Sequence, residues 1–128
     1  MVLLGLSTYR FDPNLDLSSI VGSEIQQVCR GPADVQLRGP SFRISVQSRI
    51  TLREGDDVVG IWTPEGNWSS LAFQRLIMVP ISGFSVLSER ILEIRFASEL
   101  AAHFHDDSEQ YESLQIYLPG DKLAPIVV

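Results

Sequence analysis

The stretch Phe42-Arg-Ile-Ser-Val-Gln-Ser-Arg-Ile-Thr-Leu-Arg53 decides the fold class. Apolar side chains stand at Phe42, Ile44, Val46, Ile50 and Leu52, with Arg43, Ser45, Gln47, Arg49, Thr51 and Arg53 between them. Successive side chains of a strand point to opposite faces, so a period of two held this long predicts one long half-buried strand. Its bend is expected at Ser48, the one polar residue in the apolar series.

Upstream, Val35 and Leu37 alternate with Asp34, Gln36 and Arg38, and Gly39-Pro40 supplies a turn. Residues 33–53 therefore read as a hairpin, preceded by a strand over 25–30. Downstream, Glu54-Gly-Asp-Asp57 is a turn, and the continuous apolar run Val58-Val-Gly-Ile-Trp62 predicts a strand covered on both faces. Ser69 and Ser70 are placed to cap a short helix through Leu76, which Pro80 ends, and Asp16 to Gly22 has the makings of a single helical turn. The period of two returns in Leu92, Ile94 and Phe96 and again in Leu100, Ala102 and Phe104, a second hairpin. Residues 111–118 and 123–128 predict two further strands, divided by the turn Pro119-Gly-Asp121.

The chain has 128 residues, 45% of them hydrophobic and 20% charged, the size and composition of one globular domain spanning residues 1–128. The expected fold is mainly β and antiparallel, a two-meander sandwich or partly closed barrel with one or two short helices. Ile25, Val35/Leu37 and Phe42/Ile44/Val46 are echoed by Ile81, Leu92/Ile94/Phe96 and Leu100/Ala102/Phe104, about 56 to 58 residues later. Residues 17–62 and 71–128 thus read as two β-meander pseudo-repeats that pack face to face.

Ten basic residues against 16 acidic ones leave a net charge of -6, which disfavours a nucleic-acid partner because phosphate binding needs a positive surface. No segment approaches the roughly 18 to 20 apolar residues of a membrane span, so no membrane partner is expected. Met1-Val-Leu-Leu-Gly-Leu6 lacks a positive flank and reads as a short strand, not a targeting signal. Cys29 is the only cysteine, so no intramolecular disulfide can form, and a reducing cytoplasm is the expected location. Residues 1–64 carry six Arg and seven acids, whereas residues 65–128 carry three Arg, Lys122 and nine acids. Within the less acidic half, Arg43, Arg49 and Arg53 fall on the outward face of the long strand, a place for forked bonds to a carboxylate-bearing partner.

His103-Phe-His105-Asp-Asp-Ser-Glu109 holds the residues with most chemistry. Two histidines two apart on a strand share a face, and Glu109 on the following loop completes a candidate site for a divalent transition metal. The spacing resembles the first metal motif of cupins, which implies a barrel, a divalent metal and either a small enzyme or a metal sensor. Alternation puts both histidines on the side opposite Phe104, facing outward. The same segment also reads as a solvated acidic docking loop, with Asp106, Asp107, Glu109 and Glu112 meeting a basic protein partner and Trp68 adding an aromatic anchor. No residue is assigned a catalytic role, because nucleophile-elbow, phosphate-loop and dinucleotide patterns are all missing from the sequence.

Asp107-Ser-Glu-Gln-Tyr-Glu-Ser113, leading into Leu114-x-Ile116, resembles small uncharacterised bacterial proteins of a domain-of-unknown-function type. Some of these are similar to immunity proteins, which bind and neutralise a toxin. The resemblance implies a bacterial, cytoplasmic, non-enzymatic protein-binding module. Unpaired sheet edges make a structural homodimer the remaining alternative.

Overall fold

Ser48 is where the chain leaves one sheet and enters another. The computed structural model describes residues 10–66, 68–107, 113–120 and 126–128. Its strands are β1 (Gln27–Arg30), β2 (Val35–Arg38), β3 (Arg43–Val46), β4 (Ile50–Glu54) and β5 (Asp57–Trp62), then β6 (Ile81–Ser88), β7 (Ile91–Phe96), β8 (Leu100–His105), β9 (Leu114–Tyr117) and β10 (Ile126–Val127). They form two antiparallel five-stranded sheets, ordered β10-β9-β3-β2-β1 and β5-β4-β8-β7-β6. The protein is mainly β, a sandwich of two meander-based sheets not closed into a barrel, with one short α-helix.

The single strand expected over residues 42–53 is thus β3 of the first sheet followed by β4 of the second. Its alternation survives the change, for Phe42, Ile44, Val46, Ile50 and Leu52 are all buried in one core. Both sheets turn their inner faces to that core, so a chain that passes between them keeps the same side inward. Ser48 occupies the inward position at the crossing and is buried too. A hydroxyl can live there because it donates to the carbonyl of His105.

The two halves are laid out alike, but not as separate meanders stacked on each other. β1-β2-β3 is a meander whose following hairpin, β4-β5, joins the opposite sheet; β6-β7-β8 is a meander whose following hairpin, β9-β10, returns to the first. The registers correspond. Val46 faces Leu114 and Ile44 faces Ile116 in one sheet, while Phe104 faces Ile50 and Ala102 faces Leu52 in the other. The two crossovers also bond each other reciprocally: Gln47 N donates to Ser113 O at 2.8 Å and His105 N donates to Arg49 O at 3.0 Å.

Smaller elements depart from expectation in instructive ways. β5 is not covered on both faces: Gly60 and Trp62 are buried, but Val58 is 55% exposed. Its inner side is closed by α1 (Ser70–Gln74), so tightly that a Cβ on Gly60 would stand 2.8 Å from the Ala72 Cβ. Ser69 precedes α1 without a side-chain cap, since its hydroxyl instead accepts from the Ile61 amide at 3.2 Å. The helix ends at Gln74, well short of Pro80, and the chain turns through Met78 at φ 68°. Near the N-terminus Ser18–Ile20 forms a 3-10 turn, with Gly22 at φ 92°. The strands expected over 111–118 and 123–128 are described as β9 and β10 only, and the short strand expected at Met1 to Leu6 lies outside the described residues.

Asp106 ties the second crossover down. Its side chain is fully buried, accepting from Arg10 Nη1 at 3.3 Å and from the Ser113 hydroxyl at 2.6 Å. Its amide donates to Arg90 O at 2.8 Å, and Arg90 Nη1 donates back to its carbonyl at 3.1 Å. Removing a buried carboxylate strands its partners, so D106A is expected to lower the free energy of unfolding by about 2–4 kcal/mol. S113A removes one bond and is expected to cost about 1 kcal/mol. Urea denaturation measures both, and a D106A variant as stable as S113A would contradict this role.

Candidate functional site

His103 and His105 both lie on the outer face of the second sheet, opposite the buried Leu100, Ala102 and Phe104. Neither stands alone in solvent. Pairing places Thr51 of β4 and Glu93 of β7 on either side of His103, and β8 thereby gains polar neighbours from both flanking strands. His103 Nε2 donates to Glu93 Oε2 at 2.9 Å, and Arg95 Nη1 donates to Glu93 Oε1 at 2.9 Å. Burial opposes ionisation of Glu93, but the hydrogen bonds from Arg95 and His103 outweigh it and hold the carboxyl below its ordinary range.

His105 uses both ring nitrogens. Arg49 Nη2, which can only donate, lies 3.2 Å from Nδ1, so Nδ1 accepts and the proton sits on Nε2, which donates to Thr51 Oγ1 at 3.0 Å. A second proton would set an N–H against the Arg49 guanidinium. Burial of the ring, with the Arg49 charge added, pushes its pKa down from 6.5 to about 4, against a smaller opposing pull from Asp107. Arg49 is itself paired to Asp107, Nε to Oδ2 at 3.1 Å. A cleft of about 370 Å³ opens beside this group, with Ser48, Arg49, Thr63, Glu65 and Asp107 among its walls.

This arrangement bears directly on the expected metal set. The imidazole centroids are 6.5 Å apart on one face, yet a metal at His105 would have to displace Arg49 or Thr51 from a ring nitrogen. Glu109 lies outside the described residues, and among the described residues no group of three or more His, Cys, Asp or Glu is gathered as a metal site. The barrel that the cupin resemblance implies is replaced by two open sheets, with the histidines on an outside face.

The acidic segment divides as well. Asp106 is buried and structural, contrary to its reading as a solvated docking residue, whereas the Asp107 side chain is half exposed. Glu112 lies, like Glu109, outside the described residues. The three arginines expected on one strand face are separated too: Arg43 is on the first sheet, Arg49 pairs with Asp107, and Arg53 Nη2 donates to Asp56 O at 3.0 Å.

Trp68 forms a second cluster, bridged to Trp62 at the end of β5. It is half-buried, stacks on Phe73 with centroids 5.0 Å apart, and helps line a hollow of about 390 Å³ with Val59, Leu71 and Ala72. Leu71 is 80% exposed on α1, an apolar side chain that the sequence reading assigned to a helix without a side. Its exposure has no signal in the sequence, because a five-residue helix is too short to show an apolar stripe. No family model, curated protein or solved structure is found to match the chain. Among the described residues no helix is long and apolar enough to cross a membrane.

The His105 shift has a defined consequence for stability. Because its folded pKa lies below the unfolded one, the contribution is complete above pH 6.5 and is lost as pH falls toward 4. H105Q is expected to flatten the decline in stability across that window by on the order of 1–2 kcal/mol, less than for a fully buried ring because solvent reaches it. Denaturant titrations at a series of pH values read this directly; an unchanged slope would show that His105 is not held neutral.

Proposed function

We propose that this protein is a non-enzymatic protein-binding module whose docking surface is the apolar patch of Val59, Trp68 and Leu71. The observation that carries this reading is the exposure of Leu71 beside a tryptophan already fixed by stacking on Phe73. A pre-ordered aromatic next to an exposed aliphatic side chain supplies contact area without further loss of side-chain freedom. The flanks of the patch are acidic: Asp56 and Asp57 precede Val59, Glu65 lies just before Trp68, and all three are exposed. A second copy of the chain would bring like charges together, so the occupant is a partner with a basic surface.

An immunity-like role, in which the module covers the working surface of a basic protein, is the form this reading takes. Asp107, and with it Glu109 and Glu112, belongs to the same acidic character and is proposed to help steer the encounter. Complementary charge chiefly raises the association rate and makes it sensitive to salt.

The test is binding of purified basic proteins and a lysine-rich amphipathic peptide, measured by biolayer interferometry at two salt concentrations. L71E changes an exposed side chain, so it is expected to leave the melting temperature within a few degrees of the original. It is expected to weaken partner binding by about tenfold or more, the range of an interface hot spot. Binding that is indifferent to both L71E and salt, or no binding to any basic probe, would sink the reading.

A further inference from the structure

The outer face of the β10-β9-β3-β2-β1 sheet carries two guanidinium groups, Arg38 and Arg43, that have no carboxylate partner among the described residues. Arg38 on β2 and Arg43 on β3 stand directly opposite each other in the register. Like charges opposed on neighbouring strands repel. Four other arginines are matched to carboxylates: Arg10 with Asp106, Arg49 with Asp107, Arg75 with Glu54 and Arg95 with Glu93. On this face the available acid, Asp34, is occupied by Gln36 Nε2 at 3.1 Å and the Ser45 hydroxyl at 3.2 Å. Gln36 then holds Arg38, its Oε1 accepting from Nε at 3.0 Å and Nη2 at 2.6 Å. Arg38 is thereby oriented by a neutral group and meets no carboxylate among the described residues.

Arg43 is held differently. Its Cζ lies 4.1 Å from the centroid of the Tyr117 ring, and its Nε is buried with no hydrogen-bond partner among the described residues. Tyr117 is fixed in turn, its hydroxyl donating to Gln115 Oε1 at 2.9 Å. Stacking on an aromatic face fixes the plane of a guanidinium, and its terminal nitrogens then present the fork that a carboxylate accepts. A shallow groove of about 520 Å³ adjoins the pair, with Pro40, Tyr117 and Leu118 supplying its apolar wall.

We propose that Arg38, Arg43 and Tyr117 form a recognition site for the carboxylate side chains of an extended acidic peptide segment in a partner protein. Charge complementarity selects the carboxylates, and the open groove takes the apolar parts of flanking residues. A polynucleotide is the poorer fit, since two cations in a chain of net charge -6 make no continuous basic track. This site is on the sheet opposite Trp68 and does not depend on the patch proposed above.

Fluorescence anisotropy with a fluorescein-labelled hexaglutamate peptide at low salt tests it. Saturable binding is expected, weakened about tenfold or more in R38Q or R43Q, as for loss of a charge-assisted bond, and to a lesser degree in R43K, which keeps the charge but not the fork. R43Q is also expected to melt at or above the temperature of the unaltered protein, because the repulsion with Arg38 is relieved. Absence of saturable binding, binding indifferent to R38Q and R43Q, tighter binding of a single-stranded oligonucleotide to the same arginines, or a lowered melting temperature in R43Q would each overturn the proposal.

Discussion

Both sheets depend on the place where two crossovers meet. The backbone of 47–49 and that of 105–113 exchange a reciprocal pair of hydrogen bonds, Gln47 to Ser113 and His105 to Arg49, and Ser48 bonds the carbonyl of His105 between them. Each sheet owes two of its five strands to a crossover. That contact closes one end of the β4-β8 ladder, at Ile50 and Phe104, and one end of the β9-β3 ladder, at Leu114 and Val46. Asp106 makes the contact hold, since its buried carboxylate binds Arg10 from the N-terminal segment and Ser113 at the far end of the second crossover. A buried charge is tolerated only where it is paired and hydrogen-bonded, and here one residue meets both conditions while fixing three parts of the chain.

The same junction decides the chemistry of the histidines. His105 ends β8 as the chain enters its crossover, and Arg49 is the residue on the other crossover that receives its amide bond. The guanidinium is therefore delivered to the imidazole by the backbone contact, which keeps the ring neutral and both its nitrogens engaged. Around it the outer face of the second sheet is a chain of matched groups, from Asp107 and Arg49 through His105, Thr51, His103 and Glu93 to Arg95. The outer face of the first sheet is its opposite, with two cations opposed and no carboxylate paired with either among the described residues. Surface charge in this protein is thus unevenly satisfied, and the unsatisfied groups, together with exposed Leu71, are where a partner gains most from contact.

Much of the core was legible because burial follows a period of two. Each of Ile44, Val46, Leu92, Ile94, Ala102 and Phe104 is buried as its alternation requires, and Gly39-Pro40 does mark the turn between β2 and β3. The candidate site was legible only in part. That His103 and His105 share an outward face follows from spacing alone, but Thr51, Glu93 and Arg49 became their neighbours through strand pairing, which residues ten or more positions away must supply. The acidic run looked uniform in sequence, and only the closing of the second crossover distinguishes buried Asp106 from half-exposed Asp107.

By itself the sequence determined the class of the fold, since alternating polar and apolar side chains can bury one face only as strands. It also determined the composition of that buried face, because the alternation continues through Ser48 whichever sheet the strand belongs to. Tertiary structure alone decided that residues 42–53 divide between two sheets, that each half lends its hairpin to the other, and which charges find partners. The physical reason is that period records which side of a strand faces the core and carries nothing about which strand lies beside it. Pairing is set by long-range backbone hydrogen bonds and by how the crossovers close on Asp106.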